Sequence, residues 1–175
     1  KPKLGNFILA DSGESKNTFE ILKRCRDIRQ KLFKSLINKN PLINIHSCDE
    51  NIDLSDLTKG EVELYLGTIK NRELLERALL ELQKKIINEQ LIGELLYKHH
   101  IILREKLKVS TPRIERMIDA AMNAGALGAK INGSGGGGCM FAYSPNNAEN
   151  VVEAINSVDG KAQIVFSDEG SKFLN

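Results

Sequence analysis

The chain has 175 residues, of which 41% are hydrophobic and 27% are charged, a balance typical of one soluble globular domain and not of a disordered or collagen-like chain. This length is too short for a complete two-lobed enzyme. The 25 basic and 23 acidic residues leave a net charge of only +2, and aromatic residues make up 5% with no tryptophan, so binding to nucleic acid is not expected.

The amino-terminal part of the chain predicts a strand followed by a helix. Residues 6–10 form an apolar run that is closed by Asp11, Ser12 and Gly13, the pattern of a buried strand that ends in a turn. A helix capped by Asn17 or Thr18 should follow and end before residue 40. Its apolar positions keep helical spacing and are Phe19, Leu22, Cys25, Ile28, Leu32 and Leu36.

The pattern of residues 42–69 does not by itself distinguish helix from strand or irregular structure. Residues 42–58 are mixed and polar, with Ser55 as a candidate cap of a short helix. Residues 61–69 contain apolar residues in alternation, which resembles a strand, but we favour a helical or irregular connection.

Residues 71–107 have the apolar spacing of a helix. Because this stretch is long for a single helix, a break is expected at Gly93 or near Asn88 and Glu89. Acidic and basic residues lie four apart on the polar side, which indicates a solvated face. These pairs are Glu73 with Arg77 and Glu81 with Lys85.

The carboxy-terminal part predicts a helix, two strands, a helix and a strand. Thr111 is placed to cap the first helix, with Pro112 at its first position and Gly125 at its left-handed end. Its core stripe consists of Ile114, Met117, Ile118 and Ala121. Strands are expected at residues 126–132, 139–143 and 161–166, and an amphipathic helix at residues 148–157.

Apart from the central helices, the order of elements is strand, helix, strand, strand, helix, strand. This order predicts an α+β fold of the ferredoxin-like (split βαβ) type, in which helices cover one face of a mainly antiparallel sheet. We expect one domain over residues 1–175, with helices of residues 42–107 inserted between the first helix and the second strand.

Five of the 14 glycines fall within residues 133–138, between two predicted strands. That setting disfavours a linker, and a plain hairpin needs fewer glycines. Backbone without side chains can turn successive amide donors toward one point, and so hold a phosphate or fit another phosphate-binding loop. In a Walker A loop the glycines are followed by Lys-Ser or Lys-Thr, and neither pair follows here. In a Rossmann motif the glycines are followed by a helix, whereas here a strand is predicted. A functional loop is therefore favoured over a structural hairpin.

Signals of several other classes are missing from the sequence. Cys25, Cys48 and Cys139 are odd in number and widely spaced, so neither a disulfide framework nor a zinc site is expected. His46 stands alone, and no metal site is predicted. Without a run of about 18 apolar residues or a secretory leader, we expect no membrane span and a cytoplasmic location.

Residues 125–139 resemble the third conserved motif of the GHMP kinases, the family of galactokinase and of homoserine, mevalonate and phosphomevalonate kinases. The similarity is strong over about residues 92–143. Residues 93–96, His100, Leu103, Arg104 and residues 110–112 resemble the galactokinase stretch before that motif. Residues 11–13 follow a strand as in the sugar kinases of the group.

The resemblance implies the carboxy-terminal, ferredoxin-like lobe of a two-lobed kinase that uses ATP and Mg²⁺ to phosphorylate a hydroxyl group. No segment resembles the family's Pro-x-x-x-Gly-x-Ser-Ser-Ala phosphate loop. The catalytic acid and the metal ligands are therefore expected in an amino-terminal lobe, the partner missing here. The chain opens at Lys1 without Met, so we expect a piece of a longer protein that is inactive alone.

The resemblance also assigns candidate site residues. Those expected to line the cleft are Gly133, Ser134, Gly135, Gly136, Gly137 and Gly138. Asp11, Ser12 and Lys16 are candidate acceptor contacts, with a plain turn and a solvated lysine as an equal alternative. A packing role is expected for Cys139, and a packing or hydrogen-bonding role for His100.

We expect a galactokinase-like sugar kinase, with a heptose or mevalonate kinase as the near alternative. A ferredoxin-like domain that binds ligands or regulates without catalysis is the alternative from another class.

Overall fold

The computed structural model describes residues 4–16, 18–41, 43 and 51–166. The predictions for Asn17, His46 and Cys48 lie outside these residues. The elements, in chain order, are β1 (Phe7–Asp11), α1 (Thr18–Lys39), α2 (Lys59–Leu82), α3 (Glu89–Glu105), α4 (Pro112–Asn123), β2 (Gly128–Ile131), β3 (Cys139–Tyr143), α5 (Ala148–Asn156) and β4 (Lys161–Val165).

The four strands form one antiparallel sheet in the order β2-β3-β1-β4. The central strands β1 and β3 pair with Ala10 opposite Met140. Alternate residues of the strands are fully buried beneath α4 and α5, because successive side chains of a strand point to opposite faces. These residues are Ile8, Ala10, Ala129, Ile131, Met140 and Ala142. The predicted α+β, ferredoxin-like sheet is confirmed.

Helix α4, and not α1, lies beside α5 on the sheet. The carboxy-terminal half of α1 packs on α2 in a second apolar cluster, which contains Leu32, Phe33, Leu36, Leu64, Tyr65 and Ile69. The expectation of one buried stripe along α1 is wrong in its first turns, where Phe19 is 71% and Leu22 is 52% exposed. Regular spacing alone therefore overestimates burial in these turns.

Residues 61–69 belong to α2, which settles the ambiguity in favour of a helix. Thr58 caps α2 in a reciprocal capping box with Glu61. Ser55 is not a helix cap, since its amide donates to the Asp53 carboxylate in a turn before α2.

The central helical stretch breaks between α2 and α3, where Asn88 caps α3. Gly93 lies inside α3, and a Cβ there would stand 2.4 Å from the Leu127 carbonyl oxygen, so glycine permits close packing before β2. The predicted Glu81–Lys85 pair on a solvated face is wrong. Glu81 is buried and accepts hydrogen bonds from the Lys84 ammonium (2.6 Å) and the Asn88 amide (2.8 Å).

Helix α4 follows the prediction closely. The Thr111 hydroxyl accepts the Ile114 amide (3.2 Å), Pro112 begins the helix and Gly125 has a φ of +94°. All four residues of the predicted core stripe are buried. The remaining boundaries differ from the prediction by one or two residues at strand and helix ends. Among the helices of the described ranges, none has both the length and the apolar character needed to cross a bilayer.

Candidate functional site

The glycine-rich loop of residues 132–138 joins β2 to β3. Its five glycines all have positive φ angles, a conformation that residues with side chains rarely adopt. The angles are +74° at Gly133, +81° at Gly135, +72° at Gly136, +107° at Gly137 and +71° at Gly138. The backbone path itself therefore requires this composition.

Close neighbours impose a second requirement for glycine. A Cβ at Gly135 would lie 2.4 Å from the Val109 carbonyl oxygen, and one at Gly138 would lie 1.8 Å from Lys16 Cε. The Gly136 amide donates to the same Val109 oxygen at 2.7 Å. The loop is thus pressed against the turn before α4 and against the turn after β1.

The turn after β1 is bonded directly to the loop. The Ser12 amide donates to the Gly138 carbonyl (2.9 Å), and the Gly138 amide donates to the Glu14 carbonyl (3.0 Å). The Lys16 ammonium reaches the Asn132 carbonyl at 3.4 Å. The structure therefore brings the three residues predicted after β1 next to the predicted glycine loop.

These three residues differ in what they present to a ligand. Asp11 and Lys16 are exposed, whereas Ser12 is fully buried. The Ser12 hydroxyl accepts the Glu14 amide (3.2 Å), and the Asp11 carboxylate accepts the Gly13 amide (2.9 Å). The buried Ser12 thus stabilises the turn after β1, whereas the exposed Asp11 and Lys16 are accessible to a ligand. An acceptor-binding role for the three stays a prediction.

Sequence reasoning missed Glu14, which lies where the β1–α1 turn, the glycine loop and the start of α4 meet. Its carboxylate accepts the hydroxyl of Thr111, the cap of α4, and its backbone carbonyl holds Gly138. One residue thereby links the β1–α1 turn, the glycine loop and the start of α4. An acidic residue in a turn follows no periodic pattern, so no signal in the sequence marked it.

The accessible part of the loop is its beginning. Gly133 is exposed and Ser134 is half-buried, whereas Gly135 and Gly137 are buried. The Ser134 hydroxyl donates to the Thr18 hydroxyl at 3.3 Å, at the first residue of α1. Within the part of the chain that the structure describes, the amides of Gly133 and Ser134 are bonded to no acceptor. Two amide donors, a hydroxyl and the nearby Lys16 ammonium form a setting suited to an anion.

A buried network supports the strand that leads into the loop. His100 accepts the amide of Ile131, the last residue of β2, on Nδ1 (3.4 Å) and donates from Nε2 to Glu115 (3.0 Å). Arg104 donates to the other Glu115 oxygen at 3.1 Å. Burial lowers the pKa of His100 below its ordinary value despite the neighbouring carboxylate, so the ring is neutral near pH 7. His100 therefore has the packing and hydrogen-bonding role that was expected.

Metal-binding groups do not gather in the described residues. No three His, Cys, Asp or Glu side chains come together there. Cys139 is half-buried in β3, paired with Asp11 across the sheet, in keeping with a small strand residue.

Comparison with known proteins places this geometry in a family. Residues 71–160 match the family model described as "GHMP kinases C terminal". Mevalonate kinase of Thermococcus gammatolerans is 43% identical over 102 residues, which cover 58% of this chain and 29% of that protein. Galactokinase of Clostridium perfringens is 29% identical over 149 residues, which cover 73% of this chain and 38% of that protein. The chain thus corresponds to well under half the length of these relatives.

Solved structures agree on the fold. The complex of Lactococcus lactis galactokinase with galactose superimposes with a TM-score of 0.71 at 15% identity, over 95% of this chain and 45% of that one. The complex of L. major mevalonate kinase with R-mevalonate gives 0.60 at 20% identity, over 90% and 40%. The family model matches more than half of the residues of this chain. The chain therefore belongs to the GHMP kinase family and comprises the C-terminal domain of that family.

Proposed function

We propose that this chain forms the carboxy-terminal wall of the active cleft of an ATP-dependent kinase that phosphorylates a hydroxyl group of a small molecule. The observation that carries the proposal is the glycine loop, whose five positive-φ residues are bonded into the corner made by the β1–α1 turn and the turn before α4. Phosphoryl transfer depends on alignment and on stabilisation of charge, and a rigid wall of backbone serves both.

The residues of the wall have separate proposed roles. The amides of Gly133 and Ser134, which have no acceptor among the described residues, would contact the transferred phosphate or the nucleotide loop of the other lobe, together with the Ser134 hydroxyl. Lys16 would add positive charge, since its ammonium lies at the same end of the loop. The buried Gly135 and Gly137 would keep the loop narrow. Asp11 would contact the acceptor, a role supported by its exposure at the end of β1.

ATP and Mg²⁺ would be held mainly outside this chain. Amide, hydroxyl and ammonium donors at the loop fit a phosphate group, but the described residues bring together no carboxylate cluster for a metal ion. We therefore assign the metal ligands and the catalytic acid to the amino-terminal lobe. Mg²⁺, when bound, would neutralise charge on the phosphates of ATP.

Mevalonate is the first acceptor to test. Mevalonate kinases such as that of Thermococcus gammatolerans share 43% identity with the chain, against 29% for the galactokinase of Clostridium perfringens. The expectation of a sugar acceptor is therefore not supported over mevalonate. Galactose is kept as the second candidate because the galactokinase match covers 73% of the chain.

The proposal is tested with the full-length protein that contains this chain. ATP consumption is measured with mevalonate, galactose, heptoses and homoserine in turn, and we expect turnover with mevalonate above the others. Absence of turnover with every acceptor, in a parent that lacks a phosphate-binding loop, would favour a domain without catalysis. We expect no activity from the 175 residues alone, because the nucleotide loop and catalytic groups would be missing.

A further inference from the structure

A groove between α1 and α2 lies outside the glycine loop and has no role in the proposed reaction. Its cavity volume is about 750 Å³, within the range of about 300–1,000 Å³ typical of small-molecule sites. Apolar side chains form its floor: Leu22, Phe33, Ile37 and Ile69. A floor of this kind suits a hydrocarbon chain.

The walls of the groove carry only positive charge. Arg26, Arg29, Lys34 and Arg72 line it, and no acidic residue does so among the described residues. Arg26 pairs with Asp27 (3.1 Å) and Arg72 with Glu76 (3.9 Å), both on the surface. Arg29 and Lys34 form no ion pair with any residue that the structure describes. The charge of the site therefore calls for an anion.

One donor in the wall lacks a partner. Arg29 Nε is buried and makes no hydrogen bond within the described part of the chain. A buried donor left unpaired is destabilising, so a small shift of the Arg29 side chain onto a bound acceptor would remove that penalty. The guanidinium group matches the geometry of phosphate or carboxylate oxygens. A single orphaned donor beside an apolar floor fits one compact headgroup better than the many backbone groups of a peptide.

We propose that this groove binds an anionic amphiphile, with its hydrocarbon chain on Leu22, Phe33 and Ile69 and its phosphate or carboxylate headgroup at Arg29 and Lys34. This site is independent of the proposed kinase reaction, so its binding is measured without turnover. Failure of one proposal therefore leaves the other untouched.

Isothermal titration calorimetry on the full-length protein tests the site, with octyl phosphate and octanoate below their micellar concentrations. We expect saturable binding of one molecule per chain, and the headgroup that binds more tightly identifies the source class. Arg29→Gln combined with Lys34→Gln should weaken binding by about tenfold or more, because charge-assisted hydrogen bonds are lost. Leu22→Gln should also weaken binding, because it replaces an apolar contact of the hydrocarbon chain with a polar side chain. The matched controls Arg77→Gln and Leu80→Gln, exposed on α2 outside the groove, should leave it unchanged.

Other results would overturn the proposal. Equal affinity for inorganic phosphate would indicate a plain anion site, and equal affinity for octan-1-ol would indicate nonspecific adsorption. Unchanged binding in the Arg29→Gln, Lys34→Gln variant would remove the headgroup assignment. Absence of saturable binding of both amphiphiles by the full-length protein would show that the groove is not a ligand site.

Discussion

Glycine is required in the loop for two separable reasons, conformation and space. Gly133 has a positive φ, but an added Cβ would meet only the Lys16 ammonium at 3.5 Å. Gly135 also has a positive φ, and a Cβ added there would stand 2.4 Å from the Val109 carbonyl oxygen. A backbone oxygen cannot rotate away as a side chain can. Substitutions along the loop should therefore differ in severity.

Gly135→Ala should destabilise the domain by roughly 2 kcal/mol more than Gly125→Ala. Both glycines have positive φ, so both variants carry conformational strain of about 1 kcal/mol or more, but only Gly135 adds overpacking against backbone. Urea unfolding followed by circular dichroism measures the difference. Equal losses of stability would show that conformation alone explains the glycine.

Two adjacent histidines should make the domain less stable in mild acid. Burial lowers the pKa of His99 from 6.5 to about 4 and also lowers the pKa of His100. The unfolded chain then binds more protons than the fold, so stability is full above about pH 6.5 and falls as the pH drops toward 4, by at most about 1.4 kcal/mol per pH unit for each group. Denaturant unfolding at pH 7, 6 and 5 measures this slope. His99→Gln should flatten it, and an unchanged slope would contradict the assignment.

At the scale of elements, hydrophobic spacing predicted the strands and the core of α4 because each of those stripes meets a partner. It could not show that α4 lies on the sheet and that α1 packs mainly on α2, since both helices carry similar stripes. Residues 61–69 alternate as in a strand but form a helix, which begins at the capping box of Thr58. Glu14 and the buried Glu81 escaped prediction because their partners are set by the fold and not by spacing along the chain.

The link between Glu14 and Thr111 should contribute measurably to how the elements meet. A double-mutant cycle with Glu14→Ala and Thr111→Ala should give a coupling free energy of about 1 kcal/mol in urea unfolding, because the two side chains share a hydrogen bond. A cycle of Glu14→Ala with Thr58→Ala, whose side chain bonds with Glu61, serves as the control and should be additive. Zero coupling in the first cycle would mean that the bond between these two side chains does not help to hold the elements together.

At the scale of the molecule, the glycine motif was legible in the sequence, but its surroundings were not. The sequence located the loop of residues 133–138 and its neighbours after β1. Only the fold shows that Gly135 and Gly137 are turned inward, that Ser12 is buried and that Gly133, Ser134 and Lys16 remain accessible. In the proposed cleft, this chain would therefore expose a smaller surface than the whole glycine motif.

Turnover of the full-length protein carrying Gly136→Val tests the proposed role of the glycine loop. A Cβ at Gly136 would meet the flexible end of Ile21, 1.9 Å away, so the domain should stay folded. A branched side chain at a φ of +72° should nevertheless force the loop out of place. We predict that kcat falls by at least about 100-fold, as for a lost group that aligns the transition state. Gly125→Val, the same substitution at a positive-φ glycine that lies before β2 and outside the loop, should retain turnover. Full turnover in a folded Gly136→Val protein would contradict the claim that this loop forms a wall of the active cleft.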